Sequence, residues 1–249
     1  MRILISNDDG IDAPGLASLA EAMSEFGECF ISAPDRERSG AGHSLTLHRP
    51  IRILPRGHRR FATDGTPTDS VSLGVLEILK DHPPDLVVSG INFGANIGDD
   101  VTYSGTLAAA LEGAILGIPA IAFSLAASMT EEPNFAPAAY FARKLVRQVL
   151  VHALPRGAVL NVNVPNMEGD RIDDYQITRL GRRRYAGAIA EKIDPRGKKY
   201  YWIGAEELGF DDIPGSDSNA IRLGKVSITP IRLDITHEEC IEELKKWSL

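Results

Sequence analysis

The chain has 249 residues, 43% of them hydrophobic, which suits one large α/β domain or one domain with an appendage. A net charge of −7 argues against a protein that coats nucleic acid, although it leaves room for a local basic site. No apolar run is long enough to span a membrane, and Cys29 and Cys240 form neither a disulfide framework nor a Cys-x-x-Cys pair, so a reduced cytoplasm is the expected setting.

Residues 2–6 read as a short buried strand. Polar Ser6-Asn7-Asp8-Asp9 then cuts the apolar stretch too short for a signal peptide. Pro14 suits the first turn of a helix that Leu16, Leu19, Ala20, Met23 and Phe26 continue, with Gly27 as its stop. Residues 29–33 are the next strand, and a polar loop runs over 35–44. Residues 45–54 alternate as a strand does. Thr66 and Pro67 mark the N-cap and first position of a helix continued by Val71, Val75, Leu76 and Leu79. A strand at 85–89 leads into a Gly/Asn/Asp loop over 90–103. A helix starts near Ser104 and ends at Gly117. A strand at 119–123, a helix at 136–152 and a strand at 158–164 complete this half.

After residue 165 the pattern changes. Strands are predicted at 176–180 and 226–233, and a helix at 237–248 that His237 opens. Between the strands, residues 186–204 read as a β-hairpin arm. Its turn is Asp194-Pro195-Arg196-Gly197, and its apolar load is Ile189, Ile193, Tyr200, Tyr201, Trp202 and Ile203. A hairpin is marginal alone, so the arm is expected to pack on another subunit. The fold expected is α/β: a Rossmann-like, mostly parallel sheet with helices on both faces. The core spans 1–165. Residues 166–249 add the remaining core strands, the arm and a C-terminal helix for oligomerisation.

Ligands bind such sheets beyond the carboxyl ends of the strands. Three polar clusters fall there: Asn7-Asp8-Asp9-Gly10, the run from Asp35 to Ser39-Gly40, and Ser89-Gly90-Ile91-Asn92 with Asn96. Together they bring carboxylates, a hydroxyl and an amide to one edge, an oxygen-only set that suits Mg²⁺ or Mn²⁺. Adjacent Asp8 and Asp9 repel unless a cation or protons neutralise them. Ser104-Gly105-Thr106 opens a helix on the same edge, where free N–H groups attract phosphate. A metal beside an anion cradle indicates phosphoryl hydrolysis. The Asp-x-Asp of haloacid-dehalogenase phosphatases, a P-loop and a Gly-x-Ser-x-Gly elbow are all missing from the sequence. His43 reads as a loop histidine, Asp64 and Asp69 as residues that order a turn, and Arg182-Arg183-Arg184 as a solvated charge run. Tyr103 suits either a stacking partner or a loop anchor.

These stretches, with Ala33-Pro34-Asp35-Arg36, Gly65-Thr66-Pro67-Thr68-Asp69, Gly98-Asp99-Asp100, Tyr103-Ser104-Gly105-Thr106 and Val226-Ser227-Ile228-Thr229-Pro230, closely resemble the stationary-phase survival protein family SurE. The resemblance covers nearly the whole chain. It implies a 5′/3′-nucleotidase acting on nucleoside monophosphates, with some members also cleaving polyphosphate. It also implies a homodimer or homotetramer. Carried over by motif, Asp8, Asp9, Ser39 and Asn92 match the ligands of one divalent metal per subunit. Asn96, Ser104, Gly105 and Thr106 match the phosphate-binding positions. Asp8, Asp9 and Asn92 are the expected catalytic centre. Two other readings stay open: a non-catalytic nucleotide sensor, and a metal-dependent nucleotidyl or glycosyl transferase.

Overall fold

The structure, a computed structural model, describes residues 1–128, 130–184, 189–203 and 209–248. In chain order the elements are β1 (Arg2–Ser6), α1 (Pro14–Met23), β2 (Glu28–Pro34), β3 (Ile53–Pro55), β4 (Arg60–Thr63), α2 (Pro67–Leu73), β5 (Leu86–Phe93), α3 (Gly105–Ile115), β6 (Ala120–Ala126), α4 (Ala136–His152), β7 (Ala158–Pro165), β8 (Tyr175–Ile177), β9 (Ile189–Ile193), β10 (Lys199–Ile203), α5 (Asp217–Arg222), β11 (Val226–Arg232) and α6 (Glu238–Leu244).

Nine strands form one sheet in the order β3-β4-β2-β1-β5-β6-β7-β11-β8. The six from β4 to β7 are parallel; β3 and β11 join antiparallel to their neighbours, and β8 runs parallel to β11. The expected mostly parallel α/β sheet is therefore present. The chain leaves β1 towards β2 and β4 on one side, then returns to fill β5, β6 and β7 on the other. The order thus reverses beside β1, where a crevice opens at the strand ends.

Successive side chains on a strand point to opposite faces, and β1 uses both. Ile3 and Ile5 join a core cluster with Leu16, Met23, Phe123 and Phe141, under α1 and α4. Leu4 joins the opposite cluster with Val71, Val75, Val87 and Leu107, under α2 and α3. Burial on both faces explains why β1, β5 and β6 read as continuous apolar runs.

Several expectations need correction. Helix α1 stops at Met23, capped by Ser24, rather than running to Gly27. Gly27 has another reason: a Cβ there would lie 2.1 Å from the Met1 carbonyl oxygen. Residues 45–54 are not one strand, since only Ile53–Pro55 pairs; Leu45 and Leu47 are exposed. β4 was hidden by Arg59-Arg60 at its start. α2 is short and continues as a π-helical turn, Gly74–Ile78, which leaves Leu76 exposed. β5 runs on to Phe93 through a register shift between Ser89 and Asn92, and a 3-10 turn, Gly98–Thr102, follows. α5, capped by the Ser216 hydroxyl, was not expected.

β9 and β10 form the expected antiparallel hairpin, with Gly197 N–H donating to the Asp194 carbonyl in its turn. Residues 186–188 and 204 of the predicted arm lie outside the described residues. The arm does not fold back on the core. Nine of its ten strand residues are exposed, and Trp202 and Ile203 keep 62% and 85% of their surface. α6 buries no residue at all.

Candidate active site

The loops after β1 and β2 are laced together by backbone bonds. Ile11 N–H donates to Pro34 O at 2.8 Å, and Arg38 N–H donates to Asp8 O at 2.7 Å. Gly10 permits this approach: its φ is +103°, and a Cβ would sit 3.0 Å from the Arg36 carbonyl carbon. Asn7 Nδ2 donates to Gly10 O at 2.9 Å and stiffens the turn.

Asp8 is buried at the start of α3. Thr106 Oγ1 donates to its Oδ1, and Gly105 lies so close that a Cβ would be 2.7 Å from the Asp8 Cβ. Burial pushes the Asp8 carboxyl above its ordinary range, and the bonds from Thr106 and from backbone N–H groups pull it partly back. Asp9 is pushed up to about 7, first by burial and then by the neighbouring Asp8 charge, against one bond from Phe93 N–H at 3.1 Å. Among the described residues neither carboxylate has a Lys, Arg or His ion-pair partner.

A cleft of about 260 Å³ opens over this edge, lined by Asp8, Ser39, Asn92, Asn96 and Ser104, together with Asp100, Tyr103 and Arg183. Most of the residues expected from sequence are thus brought together. Three have other posts. Asp9 stands beside the cleft, turned to Phe93. Gly105 and Thr106 are buried behind Asp8 and serve it, not the cleft surface. Ser104 fills the ordinary N-cap role, its Oγ accepting from Leu107 N–H at 3.0 Å. Ser39 is exposed and donates to Glu37 Oε1 at 2.8 Å. Asn92 Nδ2 donates to Gly94 O at 2.8 Å, which commits its nitrogen and leaves Oδ1 as the end able to meet a cation.

The donor set fits a hard divalent ion. A buried carboxylate, Asp8, next to a half-buried one, Asp9, with no cationic partner among the described residues, favours a counter-charge, and a hydroxyl and an amide oxygen line the same cleft. Among the described residues no group of three or more His, Cys, Asp or Glu side chains gathers, so such a centre depends on Ser39 and Asn92 to complete it.

Asn96 is the hub of a buried amide network that sequence reading missed. Its N–H donates to Asn163 Oδ1 at 2.8 Å, and its carbonyl accepts from Asn161 Nδ2 at 2.8 Å and Asn163 Nδ2 at 2.9 Å. Its own Nδ2 donates to Ser124 Oγ at 2.8 Å. The available signal was two asparagines at alternate positions in the apolar strand β7. Arg183 was also missed, because the run 182–184 looks uniformly solvated. His43 lies outside the cleft lining and pairs with Glu112 Oε2 at 3.1 Å. That bond is the main reason the Glu112 carboxyl lies below its usual range. Asp69 orders its turn as expected, closing a capping box with Thr66, whereas the Asp64 carboxylate turns to another segment, accepting from Arg52 N–H at 2.9 Å and pairing with Arg49 at 3.0 Å.

The model of the family described as survival protein SurE matches residues 3–187. The chain belongs to the SurE family. A relative from Geotalea daltonii named 5′-nucleotidase SurE is 54% identical over 249 residues, the full length of both chains. One of the same name from Geobacter sulfurreducens is 50% identical, covering 100% of this chain and 94% of the relative. A crystal structure of the SurE protein from Aquifex aeolicus superposes with a TM-score of 0.88 at 42% identity, covering 98% of each chain. The SurE fold accounts for the nine-stranded sheet and the crevice beside β1. Among the described residues no helix is long and apolar enough to cross a membrane.

Proposed function

We propose that this chain is a divalent-metal-dependent phosphohydrolase that removes phosphate from nucleoside 5′- and 3′-monophosphates, and from short polyphosphate, with water as acceptor. The observation that carries the reading is the Asp8–Asp9 pair, Asp8 buried and Asp9 half-buried, without a cationic partner among the described residues, at the head of α3 and beside an open polar cleft. The relatives named 5′-nucleotidase SurE support the nucleotide as substrate.

Asp8, Asp9, Ser39 and Asn92 would hold one Mg²⁺ or Mn²⁺, which when bound supplies a Lewis acid that polarises the phosphoryl group and acidifies water. The chain's own residues do the rest. Thr106 and the α3 backbone fix the Asp8 carboxylate in one orientation. Asn96, held rigid by Asn161 and Asn163, would present the second hydrogen of its Nδ2, the first being given to Ser124, and Ser104 its hydroxyl, to phosphoryl oxygens. The positive end of the α3 dipole favours negative charge developing there. The working form is a cytoplasmic homodimer or homotetramer in which the arm and α6 bury their apolar faces.

The test is phosphate release from 5′-AMP, 3′-AMP and tripolyphosphate, before and after EDTA treatment and with Mg²⁺ or Mn²⁺ restored. Turnover that is lost to EDTA and recovered with metal is expected. Full turnover in thoroughly chelated protein removes the metal. No release from any substrate, with nucleotide binding intact, points to a sensor.

A further inference from the structure

The cleft lining includes three residues that the metal and phosphate roles do not use: Asp100, Tyr103 and Arg183. Arg183 and Asp100 face each other there as an ion pair, beside Tyr103, which is 58% exposed. The other members of the basic run differ. Arg184 pairs outward with Asp211 at 2.8 Å, and only Arg183 of the three lines the cleft. The Arg183 backbone is anchored as well, its N–H donating to Asp99 Oδ2 at 2.9 Å.

Behind the pair lies Asp217, with no exposed surface. Its two oxygens clamp the two walls that carry the pair. Oδ2 accepts from Gly98 N–H at 2.8 Å, two residues before Asp100. Oδ1 accepts from Gly181 N–H at 2.8 Å, two residues before Arg183. Both glycines are needed for so close an approach. A Cβ on Gly181 would lie 2.9 Å from Asp217 Oδ1, and one on Gly98 would lie 3.2 Å from Gly181 O. A buried carboxylate is costly unless its oxygens are bonded. Here the bonding is spent on joining two loops that are 83 residues apart at Arg183 and Asp100.

We propose that the Arg183–Asp100 pair, with the Tyr103 ring, is the nucleoside-recognising end of the cleft, and that Asp217 is the positioning residue that holds it. The inference rests on the phosphohydrolase reading and names which part of the substrate this end binds. With its charge matched by Asp100, Arg183 is a poor site for a second phosphate. Instead the pair sets N–H donors beside carboxylate acceptors, which complements a ribose hydroxyl or the polar edge of a base. The aromatic face beside it suits a base ring. A substrate whose phosphate sits at Asn96 and Ser104 extends its nucleoside towards this end.

The experiment compares kcat/KM for 5′-AMP with that for phenyl phosphate, which has no nucleoside, in the metal-loaded full chain. Arg183→Gln and Asp100→Asn should each lose about tenfold more for AMP than for phenyl phosphate, the size expected for a hydrogen bond to a charged group. The loss should appear in KM. Asp217→Asn should show the same substrate bias, with KM for AMP rising and kcat less affected. A role in stability alone would lower the active fraction, so both substrates would lose equally with KM unchanged; that result overturns the positioning role. Equal losses for both substrates in Arg183→Gln and Asp100→Asn overturn the recognition site, and these two variants, at half-buried positions, decide the matter if Asp217→Asn does not fold. If the unmodified protein releases phosphate from neither substrate, the phosphohydrolase reading fails, and calorimetric binding of adenosine then decides. Binding about tenfold weaker in Arg183→Gln upholds the inference, and unchanged binding overturns it.

Discussion

Replacing Gly105 by alanine places one methyl group against Asp8. The new Cβ would lie 2.7 Å from the Asp8 Cβ, 2.8 Å from Oδ2 and 3.0 Å from Cγ. The Asp8 Cβ is fixed by its backbone, so no change of rotamer relieves the contact; the end of β1 or the head of α3 must shift. Overpacking of this kind costs about 1–3 kcal/mol, partly offset by the ~1 kcal/mol gain of alanine over glycine in a helix. The net cost corresponds to a fall in Tm of at most about 8 °C for a chain of this size. The larger effect should be on the site. Disturbing a residue that orients a metal ligand typically costs ~10–100-fold in metal affinity, and a misplacement of about 1 Å can cost ~100-fold in rate. Gly113 on the same helix is the control: its Cβ would meet the Val87 side chain at 2.8 Å, in the core and away from the cleft. Calorimetric Mn²⁺ titration and AMP turnover are the assays. Gly105→Ala should weaken both, whereas Gly113→Ala should lower Tm and leave the Mn²⁺ Kd within about twofold. Wild-type Mn²⁺ affinity and turnover in Gly105→Ala would refute the reasoning, as would an equal loss in Gly113→Ala.

Asp8→Asn should abolish turnover while the circular dichroism spectrum stays native, and near-normal kcat at saturating metal would count against Asp8 as a ligand. In metal-free protein the same change should ease a strain that depends on pH. The folded-state value of Asp9, about 7, lies above its ordinary 3.8, so stability falls as pH rises between them, by an upper bound of roughly 4 kcal/mol. Urea midpoints of EDTA-treated protein should drop from pH 5 to pH 8, and drop less in Asp8→Asn; an equal drop in both would remove Asp8 as a cause. Asn163→Ala orphans the Asn96 N–H while Asn161 still serves the carbonyl, so it should cost about 1–3 kcal/mol by urea unfolding; a cost under ~0.5 kcal/mol would show that the network does not hold the loop. Light scattering should give at least twice the 27.0 kDa chain mass, falling when 189–203 is replaced by a short glycine linker. A monomer at micromolar concentration would contradict the assigned role of the arm.

The sequence by itself determined the central architecture. β1, β5, β6 and β7 are buried on both faces, so their apolar runs stand out. Thr66 and Ser104 announce their helices because the side chain that caps a helix is a local matter. The polar clusters at 7–10, 35–40 and 89–96 were legible for a related reason: charged and amide residues right after buried strands have few structural uses. What stayed illegible depends on partners distant in sequence. The strand over 45–54 failed because alternation marks a strand only where a sheet receives it, and here the sheet accepts three residues, Ile53–Pro55. Thr106 and Gly105 looked like a phosphate cradle, yet their near neighbour is Asp8, 98 residues away from Thr106 in the chain. Asn161 and Asn163 leave only a faint mark, two amides at alternate positions of an apolar strand, and Arg183 and Asp217 carry no local signal. Each acts by meeting a backbone group or charge 65–119 residues off, and only the packing of the loop after β5 against β7, the 181–183 segment and α5 brings those groups within hydrogen-bond reach.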